Sequence, residues 1–205
     1  MGGKLTEGIT APQRAALSTL ARFVDASAYL GGGVAVALRH HHRLSKDLDL
    51  FVPEGEPETI ADRSPEPALR IVSRAPGTLH LEVGGVPATV LRYRFPLLAQ
   101  PERFEDLPVR VASIDDLICM KLSAIANRGA RRDFWDLHTM LERGEVDLAA
   151  AIALFCAKYA GVDVGHVVRA LSYFADAEAE PLTAGLTAEA WREIVADLRA
   201  RVRAL

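Results

Sequence analysis

Two acids, Asp47 and Asp49, are separated by one residue in Ser45-Lys-Asp-Leu-Asp-Leu-Phe-Val52. Read as a strand over 47–52, both carboxylates point to one face and Leu48 and Leu50 to the other. Two adjacent carboxylates repel unless a cation sits between them. Oxygen-only ligation of this kind suits Mg²⁺ or Mn²⁺. Upstream, Gly31, Gly32 and Gly33 open a short helix. Glycine lets the backbone approach an anion closely, and the first N–H groups of a helix favour phosphate. A phosphate turn and a pair of metal acids this close in sequence can hold a nucleoside triphosphate. The competing interpretation is two surface acids on an edge strand, against which stand the apolar neighbours Leu48, Leu50 and Phe51. Ser45 is either a phosphate donor or a turn-capping serine.

A second group lies on predicted helices. Lys121 and Arg128 are seven residues apart, about two turns, and share a face that carries Leu117, Leu122 and Ile125. A lysine ringed by apolar residues must reach a partner or extend to solvent. Asp133 and Asp136, at i and i+3, share a face of the next helix; one is expected to pair with Arg128 or Arg132 and the other to face Lys121. A helix-capping role for Asp133 is the plain alternative. His40-His41-His42 is a poor chelate, because consecutive helical residues point in different directions.

These segments resemble a known family. A Gly-Gly pair, a helix and Asp-x-Asp flanked by apolar residues is similar to the polymerase-beta-like nucleotidyltransferases. Leu30-Gly-Gly, then His42-Arg43-x-Ser45-x-Asp47-x-Asp49, and later Lys121-x-x-Ala124-x-x-x-Arg128 with Arg132-Asp133-x-x-Asp136-Leu137 resemble the AbiEii-type and MenT-like nucleotidyltransferases, many of them toxins of toxin–antitoxin systems. The resemblance implies transfer of NMP from an NTP to an acceptor hydroxyl, with the 3′ end of a tRNA as candidate acceptor and an antitoxin protein as candidate partner. It implies Asp47 and Asp49 as ligands of Mg²⁺ (or Mn²⁺), Gly31, Gly32, Gly33, Ser45 and Arg128 at the nucleotide, and Lys121 and Asp133 in catalysis. Arg39, Arg43, Arg128, Arg131 and Arg132 would form a basic rim for RNA. Many such enzymes carry a third carboxylate on a later strand. Here Val86–Tyr93 has none, and Glu82 on the preceding strand is the nearest. That departure keeps an alternative in view: a nucleotide-binding or partner-binding module with weak or no catalysis.

The expected fold class is α/β (α+β): an N-terminal nucleotidyltransferase domain over 1–111, with a mixed sheet and helices, then a helical bundle over 112–205. Helices are expected at 10–27, 34–41, 113–127, 131–143, 147–159, 164–178 and 187–204. Beyond the strand with the acid pair, strands are expected at 29–30 (short, entering the glycine turn), 69–74, 78–83, 86–93 and, as an edge, 109–111. Residues 53–67, with four prolines and five acids, read as a mobile loop with one helical turn. The chain has 205 residues, half of them hydrophobic and a quarter charged, which is ordinary for a globular protein. A formal charge of −3 excludes a global basic field. No apolar run reaches membrane-span length and no signal-peptide core opens the sequence, so a cytoplasmic protein is expected. Cys119 and Cys156 are both expected as reduced core residues.

Overall fold

The computed structural model describes residues 8–63, 69–104, 106–144 and 146–205. The chain divides into two compact units, the first Met1–Pro96 with Gln100–Ser113, the second Leu97–Ala99 with Ile114–Leu205.

The first unit is built on a mixed six-stranded sheet. Its strands are β1 (Tyr29–Gly31), β2 (Leu48–Val52), β3 (Leu69–Ala75), β4 (Thr78–Val83), β5 (Val86–Arg92) and β6 (Arg110–Val111), in the order β3-β4-β5-β2-β1-β6. β2 runs parallel to β5, and β1 parallel to β6, with the other pairings antiparallel. The period-two patterns hold. Leu48 and Leu50, Leu79 and Leu81, Ala88 and Val90 are all buried, and register places them side by side. Gly84-Gly85, both with positive φ, close the β4–β5 hairpin. Helices α1 (Ala11–Leu20) and α2 (Gly32–His40) pack against the sheet, and a 3-10 turn at Pro57–Thr59 leads into α3 (Ile60–Arg63).

α1 opens with a capping box between Thr10 and Gln13. It ends at Leu20, seven residues short of expectation, and the chain turns at Asp25, whose carboxylate accepts from the Ser27 N–H at 2.8 Å. β2 begins at Leu48 rather than Asp47. Of the expected loop over 53–67, residues 64–67 lie outside the described residues.

The second unit is helical: α4 (Ile114–Arg128), α5 (Arg131–Glu142), α6 (Leu148–Lys158), α7 (Val164–Ala170), α8 (Ala175–Ala179) and α9 (Ala188–Arg203). Gly129, at φ 54°, ends α4, its N–H donating to the Ile125 carbonyl at 3.0 Å. α4 is the central helix, touched by α5, α6 and α7, with Leu117, Ile118, Cys119 and Leu122 fully buried. The single helix expected over 164–178 is two, α7 and α8, because Phe174 turns inward to pack on Phe134 (4.9 Å between ring centroids) and Trp191 (6.0 Å). Cys156 is exposed, contrary to expectation: the buried side of α6 is Leu148, Ala151, Phe155 and Lys158, which leaves position 156 facing out. Cys119 is buried as expected.

Candidate functional site

Unit 1 brings most of the first group together. Gly31, the last residue of β1, lies opposite Asp49 in the antiparallel pairing. Gly32 begins α2 at φ 62°, a conformation that side chains rarely adopt, and a Cβ there would overlap the Asp49 carboxylate. At Gly33 a Cβ would lie 2.6 Å from both Ser45 Oγ and Arg43 Nη2. The glycine turn therefore sits directly against Asp49, Ser45 and Arg43, with no room for side chains. Gln13 holds the incoming loop in place, its amide donating to the Ser45 carbonyl at 2.7 Å and to Lys46 at 3.2 Å. Asp49 is half-buried; Asp47, outside the strand, is exposed. The donors on offer, carboxylate and hydroxyl oxygens beside helix N–H groups, are hard oxygen ligands of the type Mg²⁺ or Mn²⁺ takes.

The neighbour of Asp49 across the parallel pairing is Thr89, so Thr89 occupies the sheet position next to the acid. His80 follows on β4, its Nδ1 3.1 Å from Thr89 Oγ1. Glu82, the carboxylate nearest in sequence, instead forms an ion pair with Arg70 of β3. Thr89 and His80 were not singled out from sequence, because the signal that aligns them with Asp49 is strand register.

The second group forms a tight network in unit 2. Lys121 Nζ lies 3.0 Å from Asp133 Oδ1 and 2.6 Å from Asp136 Oδ2, and all three side chains are nearly or fully buried. Arg128 donates to the same Asp133 carboxylate through Nε (2.7 Å) and Nη2 (3.0 Å). Burial pushes the Asp133 carboxyl up, but Lys121 and Arg128 outweigh it and hold it below the ordinary carboxylate range. The result is a lysine held at a fixed point by two aspartates.

The expected basic rim does not form as a surface. Arg43 is buried against Gly33. Arg39 is mostly covered, bonded to Glu102 and the Ala112 carbonyl. Arg131 is buried over the Trp191 ring. Of the five, Arg128 and Arg132 are the exposed ones. The three histidines diverge: His40 is buried, His41 caps α2 in the left-handed region at φ 52°, and His42 is half-buried. Among the described residues, His138, Glu142 and Asp197 bring three ligand atoms within 4.8 Å of one another. Arg201 bonds both of those carboxylates, so a guanidinium already supplies the positive charge there.

The AbiEii sequence profile, described as a nucleotidyl transferase toxin of a type IV toxin–antitoxin system, matches residues 54–204. The chain belongs to the AbiEii nucleotidyltransferase toxin family. The matched span includes Lys121, Arg128, Asp133 and Asp136 and begins just after β2. An uncharacterized protein of Aquifex aeolicus is 35% identical over 156 residues, 74% of this chain and 76% of that protein. The fold is similar to that of MenT4, a nucleotidyltransferase toxin of Mycobacterium tuberculosis H37Rv, with a TM-score of 0.61 at 20% identity over 94% of this chain and 80% of that one. It is also similar to JHP933 of Helicobacter pylori, with a TM-score of 0.56 at 19% identity over 94% and 89%. As a member of this family the chain is a nucleotidyltransferase. Among the described residues no helix is long and apolar enough to cross a membrane.

Proposed function

We propose that this AbiEii enzyme transfers the NMP of a magnesium-bound NTP to an acceptor hydroxyl, and that the acceptor is an RNA 3′ end, that of a tRNA. The observation that carries this reading is the glycine turn packed against Asp49 and Ser45, which sets helix-opening backbone beside a carboxylate and a hydroxyl. Asp47 and Asp49 would hold Mg²⁺ (or Mn²⁺), which when bound supplies charge neutralisation for the triphosphate. Gly31, Gly32, Gly33 and Ser45 would receive the phosphates through backbone N–H groups and a hydroxyl. In this proposal Lys121 serves the same nucleotide and offsets negative charge that develops as the α-phosphate is attacked and pyrophosphate leaves. Asp133, with Asp136, positions that ammonium, and Arg128 adds a donor for the nucleotide. The enzyme would act in the cytoplasm and be restrained there by an antitoxin protein.

The test is incubation of the purified protein with Mg²⁺, each α-labelled NTP in turn and total RNA. Label is expected in a small-RNA band with one or two of the NTPs, and Asp49→Ala and Lys121→Ala are each expected to abolish it. Equal labelling by wild type and Asp49→Ala would end the proposal.

A further inference from the structure

A cleft of about 400 Å³ opens in unit 2 where α4 ends. Its walls are the last turn of α4 with Gly129, then α7 and the start of α8. That volume falls in the range of small-ligand sites, roughly 300–1,000 Å³.

The lining is chemically specific. Tyr173, between α7 and α8, is 58% exposed at the cleft wall, whereas Phe134, Phe155, Tyr159, Phe174 and Trp191 of the same unit are buried. Arg128 and Arg169 supply guanidinium groups to the same cleft. Arg169 is paired with Asp163 at 3.3 Å, but both side chains are about 70% exposed, so that pair is weak and exchanges readily for another anion. Asn127 gives an amide, donating its N–H to the Ser123 carbonyl at 2.8 Å while its own oxygen remains an acceptor. Asp176 adds a further acceptor. His166 fixes the wall, its Nε2 3.0 Å from the Ala126 carbonyl.

We propose that this cleft binds one nucleotide of a single-stranded RNA acceptor, with the base stacked on Tyr173 and its phosphodiester on Arg169. The inference rests on the RNA-acceptor reading above. Stacking on an exposed ring together with guanidinium contacts to the backbone is the common chemistry of single-strand recognition. Arg128 joins the cleft to the Lys121 network, since its guanidinium bonds Asp133, which in turn bonds the Lys121 ammonium. Two side chains, Arg128 and Asp133, therefore stand between the cleft and that lysine.

The experiment titrates the full chain with a fluorescein-labelled twelve-nucleotide single-stranded RNA ending in a free 3′ hydroxyl, read by anisotropy. Tyr173→Ala and Arg169→Glu are each expected to weaken binding about tenfold, with Arg169→Glu also reducing the salt dependence. Thermal melting monitors folding, and calorimetry with a non-hydrolysable NTP monitors the nucleotide site; both are expected to match wild type. Wild-type RNA binding and labelling that both variants reproduce would overturn the cleft assignment and leave nucleotidyl transfer to RNA standing. A wild-type protein that binds NTP but neither binds nor labels any RNA would remove the RNA-acceptor reading and this inference together. A duplex of the same sequence binding as tightly as the single strand, with no loss in Tyr173→Ala, would also overturn it.

Discussion

Lys121→Met removes a cation that two fully buried carboxylates share, while keeping a side chain of similar length and volume. The ammonium is 2.6 Å from Asp136 and 3.0 Å from Asp133. Breaking a buried ion pair by deleting one partner costs about 3–5 kcal/mol, because the remaining charge stays desolvated. Arg128 continues to compensate Asp133 from the half-exposed edge of the network, so the loss is expected near the lower end, about 3 kcal/mol. Both tryptophans, Trp135 and Trp191, lie in unit 2. Urea unfolding followed by tryptophan fluorescence therefore reports on the unit that holds the pair. The sign of the pH dependence follows from linkage. In wild type the folded Asp133 carboxyl sits below its usual range. Its contribution is complete above the unfolded value, about 3.9, and is lost as pH falls through the folded one. In Lys121→Met the Asp133 carboxylate keeps Arg128 but loses the ammonium that helps hold its carboxyl low, so its folded value rises relative to wild type. The variant therefore loses less stability than wild type on acidification, and the deficit shrinks as pH falls through the carboxylate range. Adding Asp136→Asn to Lys121→Met is expected to restore part of the loss at pH 7. A deficit below about 1 kcal/mol that does not change with pH would refute the reasoning, since that is the behaviour of a solvated pair.

Gly33→Ala places a methyl 2.6 Å from Ser45 Oγ and Arg43 Nη2. The displaced turn is expected to lower affinity for magnesium-bound NTP roughly 10–100-fold in calorimetry, with unit 2 unaffected by tryptophan fluorescence; unchanged affinity would show that this turn does not face the nucleotide. Burial pushes the Cys119 thiol up to about 12, whereas Cys156 is exposed. A disulfide reagent is expected to titrate one thiol per native chain and two in denaturant, with Cys156→Ser silent in the native state.

The β4–β5 hairpin was legible because both strands alternate about Gly84-Gly85, and α4 and α5 because their apolar stripes end at Gly129 and Gly144. Where sequence reasoning stopped, tertiary contacts had decided the matter. α6 is apolar on every side, so periodicity gave no way to tell that Phe155 faces in and Cys156 out. The break at 171–174 follows from Phe174 packing on Phe134 and Trp191, partners far away in the chain. Arg131 read as a surface cation beside Arg132, but the Trp191 ring covers it. The candidate site divides along the same line. Spacing alone put Lys121 and Arg128 on one helical face, and both indeed converge on Asp133. Register, which spacing does not encode, set Thr89 beside Asp49 and turned Glu82 towards Arg70.

Unit 2 buries a second lysine, and the contrast separates architecture from chemistry. Lys158 is 1% exposed and lies 2.6 Å from Asp116, itself fully buried. The Asp116 carboxylate also accepts from the backbone N–H groups of Leu98 and Ala99 at 3.2–3.4 Å. Residues 97–99 belong to the helical unit, and this carboxylate gives the physical reason: it captures their amides and is neutralised from behind by Lys158. Both side chains of that pair are fully buried. The Lys121 network differs at one point, Arg128, whose side chain is 53% exposed while two of its nitrogens hold Asp133. A purely structural ion pair gains nothing from an edge open to water, where screening weakens it. An edge of that kind is what a site needs if an anionic substrate is to meet a pre-positioned positive charge, and it lies on the cleft that carries Tyr173.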